Sequence, residues 1–143
     1  MWSKAKKAIS ESSAESSIYI GCDSLRVPAK HSATFSTVIV LHVDSNKGCK
    51  VFHNNISMPD FGNIRTRLLT EVQLALEAFY AIEDVVQGRN LEVHLDVNPD
   101  PKYASNVVTS EALGWVRGLG LRAKIKPEGF AASTAADHFV KQH

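Results

Sequence analysis

Apolar and polar residues alternate along SIYIGCDSLR, residues 17–26. Ile18, Ile20 and Cys22 fall on one side, and Tyr19, Gly21 and Asp23 on the other. A period of two predicts a half-buried strand. Two further segments, ATFSTVIVLHV (33–43) and CKVFHNNIS (49–57), are rich in β-branched and aromatic residues and predict strands as well. The intervening DSNKG (44–48) has turn composition, so these two strands form a hairpin. The earlier link, LRVPAKHS, is also short, which predicts an antiparallel meander of three strands.

After PDFGN the period changes. Ile64, Leu68, Val72, Ala75, Phe79, Ile82 and Val86 recur at helical spacing and predict a helix from about Ile64 to Val86, ended by QGRN. LEVHLDV (91–97) returns to alternation and reads as a strand, and NPDPKY as a loop. A helix over about 104–119 is closed by Gly118 and Gly120, and LRAKIK (121–126) is a short strand. PEGFAAS then leads into a last helix with Ser133 as its N-cap. The order is βββαβαβα, and strands alternating with helices favour parallel pairing. The start, MWSKAKKAISESSAESS, reads as a short helix and a Ser-rich link. Residues 1–16 are therefore a helical or flexible segment, and 17–143 are the domain.

Composition narrows the class without naming a function. The chain has 143 residues, 44% hydrophobic and 22% charged, as expected of one soluble globular domain with a real core. A net charge of +1 gives no bulk attraction to nucleic acid or membrane, so only charge placement matters. Lys4, Lys6 and Lys7 cluster early, and Arg117, Arg122, Lys124 and Lys126 late; each group is either a phosphate-facing patch or a solvated surface. Cys22 and Cys49 show no CxxC spacing and read as small buried thiols in a reducing compartment. No apolar run reaches membrane-spanning length and the start lacks a secretion signal's apolar centre, so the expectation is cytoplasmic. A GxxxxGK[ST] loop, a GxSxG elbow and an HExxH helix are all absent from the sequence.

Three acids stand out against this pattern. Asp23 and Asp96 each end a predicted strand, at the sheet edge where α/β proteins bind ligands. If those strands are adjacent and parallel, the two carboxylates are neighbours and repel unless a cation compensates. Glu71 lies at the margin of the long helix's apolar stripe, whereas Glu77 points away from it into solvent. Carboxylate oxygens suit Mg²⁺ or Mn²⁺. Each acid also has a plain reading: a strand-end aspartate as turn former or cap, and Glu71 paired with Arg67 four residues earlier. Periodicity does not orient Asp137 on the last, alanine-rich helix.

The order βββαβαβα, with acids on the first strand, the long helix, the fourth strand and the last helix, resembles the ribonuclease H-like superfamily. Within it, IYIGCDS, LTEVQLALEA, LEVHLDVNPD and IKPEGFAASTAADHFVK are similar to the YkuK-like family, over about residues 17–141. The resemblance implies an α/β fold with a five-stranded mixed sheet of order 3-2-1-4-5 flanked by helices. It implies a catalytic metal site of Asp23, Glu71, Asp96 and Asp137, with Asp23 bridging two ions of Mg²⁺ or Mn²⁺. It also implies a nuclease that hydrolyses phosphodiester bonds in RNA or DNA, in which two ions about 3.5–4 Å apart clamp the attacking and leaving oxygens. Ser24 is expected to bond a ligand carboxylate or to start the turn, and Lys126 to contact phosphate. His138 either shuttles a proton or lies on the surface; His94, on the Asp96 face, either supports the site or packs beneath the next helix, and packing is the favoured reading. The competing readings are a non-catalytic ribonuclease H-like module that binds nucleic acid or protein, and a phosphoesterase acting on nucleotides.

Overall fold

A computed structural model describes residues 1–60, 62–97, 102, 106 and 108–125. The meander is β1 (Ser17–Val27), β2 (Ser32–His42) and β3 (Cys49–Pro59), preceded by helix α1 (Ser3–Glu11). After it come α2 (Ile64–Val86), β4 (Asn90–Leu95), α3 (Thr109–Gly118) and β5 (Arg122–Ile125). The strands form one five-stranded sheet of order β3-β2-β1-β4-β5, the order expected. β1–β2 and β2–β3 are antiparallel, while β1–β4 and β4–β5 are parallel. The last predicted helix lies outside the described residues.

Burial follows the alternation. Ile18, Ile20 and Cys22 of β1 share a core with Phe35, Ile39 and Leu41 of β2 and Val93 and Leu95 of β4. Leu68, Val72, Ala75, Phe79 and Ile82 of α2 close that core from one face of the sheet. Each such side chain contributes about 1.5–3 kcal/mol when fully buried. Asn63 starts α2 by accepting from Thr66 N–H at 3.2 Å. Gln87 (φ 44°) and Gly88 (φ 82°) stop it in the left-handed region.

Arg89 then ties two helix ends together. Its Nη1 donates to Val85 O of α2 at 3.0 Å, and its Nη2 to Ser12 O after α1 at 2.7 Å. α1 buries Ala5 and Ile9 in the same core as α2. The predicted Ser-rich link thus runs past an anchored helix.

Two local expectations are corrected. The link after the first strand is shorter than LRVPAKHS, because Leu25, Arg26 and Val27 stay paired with β2 until Pro28 breaks the ladder. Cys49 is exposed rather than buried, because it opens β3, an edge strand with little packed over its start. Cys22 is buried, as expected.

Candidate metal centre

The β1–β4 register positions the site. The two strands pair from Ser17↔Asn90 to Gly21↔His94. Two more residues along each bring Asp23 level with Asp96, just where the strands part. Asp23 therefore stands inside β1, which runs on to Val27 against β2, and Asp96 stands just past the end of β4; both are half-buried. Glu71 comes from α2, on the other side of the polypeptide ribbon. One oxygen from each of Asp23, Glu71 and Asp96 lies within 4.8 Å of the others.

Glu71 is the most constrained of the three. At 5% exposed it is fully buried rather than marginal to the stripe. Ser24 Oγ donates to its Oε2, and no ion pair joins it to Arg67. Burial pushes its pKa well above the usual carboxylate value. The Ser24 bond opposes that shift, the Asp96 and Asp23 charges add to it, and Arg67 opposes it through its charge alone. At an effective dielectric of about 20, two unit charges about 5 Å apart repel by roughly 3 kcal/mol. Three ionised acids at this spacing are strained against one another.

Around the trio the side chains are spoken for. Asp23 Oδ1 accepts the Ser24 N–H at 2.8 Å. Burial, and then the Glu71 charge, raise the pKa of the Cys22 thiol, so it stays protonated; Thr37 Oγ1 donates to its Sγ at 3.6 Å. His94 is packed, as expected: it is 4% exposed, stacks on Tyr19 with ring centres 5.0 Å apart, and meets Glu92 Oε1 at 3.1 Å. Burial lowers the His94 pKa more than Glu92 raises it. Glu77 is exposed and takes no part.

The chain matches the family described as Ribonuclease H-like over residues 1–141. It belongs to that family. A search of solved structures found the crystal structure of native prototype foamy virus protease-reverse transcriptase, 12% identical with a TM-score of 0.44. The match covers 90% of this chain, which spans 20% of that one. No curated protein matches the chain.

In this Ribonuclease H-like chain the clustered donors suit a divalent metal. They are three carboxylates, the oxygen-only set that suits Mg²⁺ or Mn²⁺. The Cys22 sulfur is not among the clustered donor atoms and accepts a hydrogen bond from Thr37 instead. A cation between the acids removes both the repulsion and the cost of burying Glu71. The residues fit the group.

Asp137, His138 and Lys126 lie outside the described residues. No helix among the described residues is long and apolar enough to cross a membrane. Sequence reasoning did not single out Arg26, which lies further along β1 and holds Asp60 at 2.5 Å; without a register it is one exposed arginine among several.

Proposed function

We propose that this Ribonuclease H-like chain is a nuclease of the YkuK-like kind, cutting phosphodiester bonds in RNA or DNA with two bound Mg²⁺ or Mn²⁺ ions. The observation that carries the reading is the meeting of Asp23, Glu71 and Asp96, acids from three distant parts of the chain, within 4.8 Å where β4 parts from β1. A site built only of hard oxygen donors recruits hard cations, and phosphate oxygens are their natural substrate ligands.

The roles divide by position. By the resemblance to Ribonuclease H-like proteins, Asp23 would be the acid shared by both ions, with Glu71 and Asp96 as further ligands. Asp137 would complete the set. When bound, the ions supply Lewis-acid charge for the phosphoryl oxygens and a lowered water pKa. The chain's own contribution is orientation: Ser24 fixes the Glu71 carboxylate. Lys126 and His138 are the proposed contacts to phosphate and to water.

The test uses purified protein with labelled single-stranded, duplex, hybrid and branched substrates, in Mg²⁺, Mn²⁺ or EDTA. Cleavage is expected only with metal, and Asp23→Asn should abolish it while leaving the fold intact. Cleavage that survives both EDTA and Asp23→Asn would rule out the metal mechanism. Binding without cleavage in any metal would leave a nucleic-acid-binding module instead.

A further inference from the structure

We propose that Ser36 is a positioning residue for Asp23, acting through a water held between its hydroxyl and the metal-facing carboxylate. The inference rests on the metal-site reading above. Ser36 lies on β2 directly across from Asp23 in the antiparallel register. Such partners share a face of the sheet, with Cβ atoms about 4.5–5.5 Å apart.

Ser36 is 0% exposed, and its Oγ has no hydrogen-bond partner among the described residues. Buried hydroxyls almost always have one, and an exception points to a bound water or ion. The other hydroxyls nearby are engaged: Ser24 donates to Glu71, and Thr37, on the opposite face, to Cys22. Ser36 sits in a stretch, TFSTVIVL, where an alanine or valine would satisfy the strand equally well. A local rule broken beside a site is where function is expected.

The position suits a bridging water. Across the sheet, opposite α2, Asp96, Asp23, Ser36 and Asn55 form one polar row, with Ser36 paired to Asn55 of β3 on its other side. A buried water needs at least two polar partners, and the Ser36 hydroxyl and the Asp23 carboxylate across from it are two. A carboxylate held from behind presents its remaining oxygen in a fixed direction. Losing such support costs about 10–100-fold in metal affinity.

The experiment is MnCl₂ titration of the full-length wild type, Ser36→Ala and Ser36→Thr, read by calorimetry, with metal-free Tm measured in parallel. Ser36→Ala should weaken Mn²⁺ binding about tenfold or more, with a metal-free Tm equal to or above wild type. Ser36→Thr, which keeps the hydroxyl, should recover most of the affinity. Unchanged affinity in Ser36→Ala overturns the proposal, as does a folded Ser36→Thr that recovers none. A metal-free Tm that falls along with affinity also overturns it, because Ser36 would then be an ordinary core contact. Wild type that binds no Mn²⁺ fails earlier, and sinks the metal-site reading itself.

Discussion

Ser24 on β1 donates its hydroxyl hydrogen to Glu71 on α2, joining residues 47 positions apart. This bond sets the direction of Glu71, the fully buried member of the trio. Without it, Glu71 keeps its desolvation and loses its donor. Ser24→Ala is therefore expected to lower stability by about 1–3 kcal/mol at neutral pH in EDTA, measured by urea denaturation. Ser24→Thr should lose much less. A Ser24→Ala protein as stable as wild type would mean that the bond contributes nothing in solution.

The mutual repulsion of the trio makes an opposite forecast for Asp23. Asp23→Asn removes one of the charges that oppose ionisation of Glu71, while keeping the shape. In EDTA its stability should rise by roughly 1 kcal/mol, well below the full repulsion because solvent screens half-buried groups. In millimolar Mn²⁺ the order should reverse, since only the wild type gains stability from bound metal. Thermal shift with and without Mn²⁺ reads both halves, and Asp23→Asn less stable than wild type in EDTA would refute the repulsion.

Arg89 lies far from the site and carries no role in it. Its guanidinium bonds carbonyls of Val85, Val86, Ser12 and Ser13, joining the ends of α1 and α2. Arg89→Ala should cost about 2–3 kcal/mol, by guanidinium denaturation, while leaving Mn²⁺ affinity unchanged. Arg89→Lys should recover little, because an ammonium cannot reproduce the planar fork.

Acid should act on the Arg26–Asp60 pair in a defined direction. The Arg26 hydrogen bond, and then the Gly62 N–H, hold Asp60 below the ordinary aspartate value of 3.8. A depressed folded pKa contributes stability that is complete above the unfolded value and is lost as pH falls through the folded one. The stability difference between wild type and Asp60→Asn should thus be constant from about pH 5 upward and shrink below pH 4. A difference that instead grows toward low pH would have the wrong sign for this pair.

Much of this was readable in the chain because the signals were periodic. Helix α2 runs from Ile64 to Val86 as its stripe predicted, and the strand order follows from a meander joined to parallel units. What stayed hidden depended on neighbours. Glu71 looked marginal because a helical wheel ignores Ser24 and β1 closing over it. Cys49 looked buried because composition does not distinguish an edge strand from a central one. Ser36 drew no notice until the register set it opposite Asp23. Single-residue roles arise from cross-strand pairing, and pairing is written in no single segment.

The parallel pairing of β1 with β4 has a consequence for assembly. β1 meets β2 across one tight turn, but it meets β4 only after the long excursion through β3 and α2. Contacts so remote along the chain close slowly. The acid cluster is therefore complete only once β4 has paired with β1 and brought Asp96 beside Asp23. On the proposed metal reading, ion capture would then mark the completion of folding, because a half-built chain has not yet brought Asp96 to the other two acids.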